Sequence, residues 1–167
     1  ASDSYVEGSI DEQVLRDFYM TIAMAKVSTS AHEAYDLKIL RPGRDEVVVN
    51  PKRVISEAKR AALELADDGY TRPVPRKDIK VLGRSGMGMF FAGANAMVAG
   101  HFISDHDRLI SQKLASVMCG GDLSSYTLVS EQYLLDLERE AFLSLCGERK
   151  TLERIQSILT TNKLLRN

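Results

Sequence analysis

Twenty consecutive residues, Ser85 to Ser104, carry no Asp, Glu, Lys or Arg. An uncharged segment of that length is either a membrane span or a helix that meets protein over much of its surface. Four glycines, four alanines, Asn95 and His101 make it only moderately apolar. It falls short of the roughly 20 predominantly apolar residues that a bilayer core demands. It reads instead as a central helix of a soluble bundle, from about Gly86 to His101. Gly86, Gly93 and Gly100 recur every seven residues, with Ala92, Ala96 and Ala99 near the same stripe. Such a stripe lets a second helix approach closely. Met89, Phe90, Met97, Val98 and Phe102 cover the other faces, which predicts a helix buried all round.

The rest of the chain also reads as helix. Ser9-Ile10-Asp11-Glu12 forms a capping box. Behind it Val14, Leu15, Phe18, Tyr19 and Ile22 keep helical spacing. Ser30-Ala31-His32-Glu33 opens a short helix through Leu37, and Pro42-Gly43 marks a turn. Val47-Val48-Val49 allows one brief strand. Asn50 then caps a helix that starts at Pro51 and stops at Gly69. Ser104-Asp105-His106-Asp107 opens another helix, which stops at Gly120-Gly121. Two more follow, one carrying Tyr133 to Leu145 and the other Leu152 to Leu159. The predicted class is mainly α: a helical bundle with at most one or two short strands. With 44% hydrophobic and 27% charged residues, a chain of 167 can bury a real core.

Residues 70–84 stand out as a linker. Pro73 and Pro75 break regular structure. Arg72, Arg76, Lys77, Lys80 and Arg84 face Asp78 alone, a local charge of +4. The expected division is therefore 1–69, a basic connector at 70–84, and a bundle at 85–167. Arg72, Arg76, Lys77 and Lys80 are the candidates for contacting phosphates. The whole chain has 22 basic and 23 acidic residues, a balance that excludes a wholesale nucleic-acid binder. Tyr70 is the one aromatic in the connector, too few for a single-strand platform.

Other chemistries find weak footing. Gly86 and Gly88 follow a short apolar run, as in a dinucleotide loop, but Phe91 takes the third glycine position. No lysine follows Gly88, so the Walker pattern fails too. His101 and His106, with Asp105 and Asp107, have poor metal-ligand spacing and suit helix capping better. Glu138 and Glu140 do not share a helix face, and ion pairing with nearby basic residues is expected of them. Cys119 and Cys146 read as reduced buried thiols. No signal peptide opens the chain, which points to a cytoplasmic setting. A start at Ala1 rather than methionine suggests a processed product or a piece of something longer.

Several runs together resemble a known family. Ile22-Ala23-Met24-Ala25-Lys26-Val27-Ser28-Thr29-Ser30-Ala31, then Glu33-Ala34, resembles the stretch after the catalytic core of crotonase-type enoyl-CoA hydratase domains. Gly69-Tyr70, Gly120-Gly121-Asp122 and Leu134-Leu135-Asp136-Leu137-Glu138-Arg139-Glu140-Ala141-Phe142 resemble the C-terminal end of multifunctional 3-hydroxyacyl-CoA dehydrogenase/enoyl-CoA hydratase proteins of fatty-acid β-oxidation. The ending Asn162-Lys163-Leu164-Leu165-Arg166-Asn167 is similar to theirs, with Asn162 and Leu164 in place of a glycine and a proline. The resemblance implies a parent that acts on acyl-CoA thioesters and uses NAD. It also implies that this segment serves cap and assembly roles beside the rest of the parent polypeptide, with a homo-oligomer as a further partner. No catalytic, cofactor or metal residue carries over onto these positions. The basic quartet is then a candidate for the phosphates of CoA. The rival expectation is a stand-alone helical interaction or oligomerisation module without catalysis.

Overall fold

A computed structural model describes residues 1–4 and 12–167. Seven α-helices and two short strands make up the described chain, apart from two 3-10 turns. The mainly helical expectation holds. Most of the Ser9 capping box lies outside the described residues. Two compact units divide the chain: residues 1–24 with 75–167, and residues 25–74. The expected division at 70–84 differs from this. Ile79–Val81 forms a strand, a helix starts at Arg84, and the first helix belongs with the C-terminal part. The prolines do mark a boundary, but local composition cannot reveal which distant helices share a core.

The larger unit contains α1 (Glu12–Ala23), β1 (Ile79–Val81), α4 (Arg84–Ala99), α5 (Asp105–Met118), β2 (Thr127–Val129), α6 (Glu131–Cys146) and α7 (Arg149–Thr161). Its core joins Leu15 and Tyr19 of α1 to Leu82, Phe90, Ala115 and Cys119. The Tyr19 and Phe90 rings stack with centroids 4.2 Å apart, an arrangement worth about 0.5–1.5 kcal/mol beyond area burial. The Tyr19 hydroxyl donates to the Ser111 carbonyl at 3.3 Å. Thus α1 is tied to both α4 and α5.

The helix α4 spans sixteen residues and is not buried all round. Gly86, Phe90 and Ala94 are its buried positions. They recur every four residues and so form one narrow stripe. A Cβ on Gly86 would stand 2.6 Å from Leu82 Cβ and 2.9 Å from Cys119 Sγ, so this glycine permits close packing. Gly93 has open space, and Gly100 caps the helix against the Phe102 ring. The seven-residue glycine pattern therefore serves three different ends. Among the described residues, no helix is long and apolar enough to cross a membrane.

The strands pair antiparallel, with Ile79 opposite Val129, Lys80 opposite Leu128 and Val81 opposite Thr127. Val81 packs on Gly120, where a Cβ would come within 2.5 Å of its Cγ2. Side-chain caps fix the starts of α5 and α6. Ser104 and Asp107 make a reciprocal capping box at α5. Ser130 caps α6 by accepting from the Tyr133 N–H.

The smaller unit holds α2 (Ala31–Asp36) and α3 (Val54–Asp67), the latter preceded by a 3-10 turn at Pro51–Arg53. Ser30 caps α2, and the Asn50 side chain accepts from the Lys52 N–H. The Tyr35 hydroxyl donates to the Asp45 carbonyl at 2.7 Å, holding the intervening turn. Gly69 ends the helix region at a φ of +75°. Val47, Val48 and Val49 form no strand. A β-branched run needs a partner edge, and the described unit offers none.

Candidate functional site

The four basic candidates fall in both units. Arg72 is exposed in the smaller unit, and Arg76, Lys77 and Lys80 lie in the larger one. Arg76 is held by its own neighbours. Its Nε donates to Asp78 Oδ1 at 2.9 Å, and an NH group reaches Asp3 at 2.8 Å. Its carbonyl accepts the Glu131 N–H. The guanidinium holds the Asp78 carboxyl below its ordinary range. Lys80 sits in β1, and its N–H donates to Ser2 Oγ at 2.9 Å. Lys77 is exposed. The charge surplus counted along the connector is therefore partly cancelled by Asp3, from the far end of the sequence.

The stretch from β1 into α4 has the strand–glycine–helix order of a dinucleotide loop, and its geometry does not fit one. The Arg84 N–H donates to the Leu123 carbonyl at 2.8 Å, so the first donor of the helix is taken by protein. Gly86 faces Leu82 and Cys119 rather than an open cradle. The strand beside β1 is antiparallel, whereas a dinucleotide fold requires a parallel crossover. This junction therefore lacks the geometry of a dinucleotide loop. Arg84 and Asp122 form an ion pair over this junction, and the Tyr133 hydroxyl donates to the Gly120 carbonyl at 2.9 Å.

A second polar group joins α5 to α7. Arg154 donates to Asp107 Oδ1 at 2.7 Å, to Asn167 Oδ1 at 2.8 Å and to the Asn167 carbonyl at 3.2 Å. Asn167 in turn donates to Glu153 Oε2 at 2.8 Å. The side chains of Arg154 and Asp107 are only 14% and 17% exposed. Burial pushes the Asp107 carboxyl up, but hydrogen bonds from Arg154 and Ser104 outweigh this, and it lies below its usual range. His106 is buried, with Nε2 at 3.0 Å from Thr151 Oγ1. Burial, with Arg154 and Lys150 nearby, lowers its basicity. The group is a structural clamp.

The remaining sequence candidates do not converge. His101 lies exposed at a positive φ in the α4–α5 turn, while His106 is buried. Among the described residues, no group of three or more His, Cys, Asp or Glu could hold a metal ion. Arg139 pairs with Asp136 at 2.9 Å rather than with Glu138 or Glu140. Cys119 is fully buried, and burial pushes its thiol up to about 12. Cys146 is half-buried. Cys119, raised by burial alone, lacks the electropositive setting that activates a nucleophile. The clamp escaped the sequence reading because Arg154 lies 47 residues from Asp107. Only Asp107 left a trace there, as part of a capping box.

The chain is 46% identical over 149 residues, 89% of its length, to the probable 3-hydroxyacyl-CoA dehydrogenase of Bacillus subtilis (strain 168). That match spans 19% of the relative, so this chain corresponds to about a fifth of a protein with that name. No family model matches the chain, and no solved structure matches it.

Proposed function

We propose that this chain is a helical segment of a longer 3-hydroxyacyl-CoA dehydrogenase of fatty-acid metabolism. The observation that carries the reading is the 46% identity along almost the whole chain to one part of the Bacillus subtilis protein. In this reading the longer polypeptide oxidises the 3-hydroxyl of an acyl-CoA thioester and passes a hydride to NAD. The NAD-binding and catalytic groups lie in the remainder of that polypeptide. The β1–α4 junction supports this placement, because its Gly83 and Arg84 N–H groups donate to the Cys119 and Leu123 carbonyls and its neighbouring strand is antiparallel. The segment's own work is to cap and assemble. The runs at 22–34 and 134–142 support a crotonase-type hydratase part in the same parent. Arg72, Lys77 and Lys80 remain candidates for the phosphates of CoA, with Arg76 the weakest of the four because Asp78 and Asp3 hold it.

The reading has a direct test. Given a 3-hydroxyacyl-CoA and NAD, the chain alone should form no NADH above background. Robust turnover by the isolated chain would contradict the placement of the chemistry elsewhere.

A further inference from the structure

Polar groups tie α7 to α5. Among the described residues, the hydrophobic cluster of the larger unit takes nothing from α7. Thr151 is the buried residue of this helix, and it is polar. Its hydroxyl oxygen lies 3.0 Å from Nε2 of His106, a residue only 5% exposed. Arg154 makes the second tie, to Asp107. An imidazole and an ion pair therefore seat α7 on α5.

This seat is hostile to a further positive charge. His106 is the second residue of α5, and Thr151 is the third of α7. Their contact joins the first turns of two helices, and both N-termini carry partial positive charge. The charged groups that act on the ring are Arg154 and Lys150 of α7, Glu148 at its cap, and Asp107 of α5. Asp107 is already committed. Its Oδ1 accepts from Arg154, and its Oδ2 accepts from the Ser104 N–H and hydroxyl. The Thr151 hydroxyl can accept from the charged ring but brings no charge to offset it. Burial, and then the two cations, hold the ring neutral and less basic than an ordinary histidine. If α7 lifts away, the ring regains water and an ordinary value of about 6.5. Lifting is therefore insensitive to pH above that value and grows easier as pH falls below it. The Asp107 carboxyl lies below its usual range, so it stays charged across this window.

We propose that the His106–Thr151 contact is an acid-sensitive latch. Proton uptake by the ring releases α7 and the chain end that Arg154 holds, residues 149–167, while the rest of the larger unit stays folded. Hydrogen exchange on the full chain tests this, at about pH 7.5 and about pH 5, with rates corrected for the intrinsic pH dependence. Protection of the α7 amides should fall about tenfold in acid, whereas residues 110–118 of α5 keep theirs. His106→Gln keeps a neutral polar side chain that does not titrate. Its α7 protection should agree at the two pH values within about twofold. Ring signals in a nuclear magnetic resonance titration of the unaltered protein give a reading independent of how the variant folds. There His106 should titrate below about 6.5. Unchanged α7 protection in acid overturns the proposal, as does a loss shared equally by α5. The same fall in His106→Gln, or a His106 that titrates at or above about 6.5, overturns it too.

Discussion

Gly83→Ala is expected to cost about 3 kcal/mol or more, enough to leave much of the protein insoluble. Gly83 has φ +62° and ψ −146°, a backbone region closed to side chains. A Cβ there would stand 2.4 Å from the Leu123 carbonyl oxygen and 3.1 Å from that of Ser125. Both obstacles are backbone, so neither can rotate away. The loop cannot simply retreat either, because the Gly83 N–H donates to Cys119 and the Arg84 N–H to Leu123, each at 2.8 Å. Gly93→Ala is the matching control. Its Cβ meets nothing within 4 Å in the middle of α4, and it should stabilise by about 0.5–1 kcal/mol. Urea unfolding followed by circular dichroism reads both. Equal stability of the two variants would mean that the Cys119–Ser125 loop does not seat on the start of α4.

Arg154→Met should destabilise by about 3 kcal/mol, the ordinary cost of breaking a buried ion pair from one side. Methionine keeps most of the length and apolar stem, so the loss is mainly charge and hydrogen bonds. Asp107 would keep its bonds to Ser104, but Asn167 would lose its partner for both oxygens. Arg139→Met supplies the contrast. Its pair with Asp136 leaves the side chains 65% and 55% exposed, and such pairs are worth about 0–1 kcal/mol. Denaturant midpoints should therefore fall clearly for Arg154→Met and hardly move for Arg139→Met. Equal shifts would show that the α5–α7 clamp is not buried.

These two sites differ in how far the sequence revealed them. Helix starts and stops were legible because their chemistry is local. The Ser104 box, the Ser30 cap and the glycine stops at 69 and 120 stand where the sequence puts them, whereas Asn50 with Pro51 opens a 3-10 turn and the α-helix starts only at Val54. Tertiary partners were not legible. The β1–β2 pairing joins two strands of three residues each, too short to announce themselves by alternation. The stacking of Tyr19 on Phe90 assigns α1 to the larger unit, and nothing near Tyr19 signals it. The glycine stripe misled because spacing alone cannot say which glycine meets a neighbour. Of the candidate site, the positive charges could be counted, but the cancelling Asp3 lies 73 residues from Arg76.

The partial match to a much longer relative supports the proposal that this chain works as part of a larger polypeptide. An antibody against this segment, used on its natural source, gives the most direct measurement: the denatured mass of what it captures. The expected mass is several times that of this chain, and the captured protein should reduce NAD with a 3-hydroxyacyl-CoA. Capture of a natural product no larger than this chain would contradict the claim.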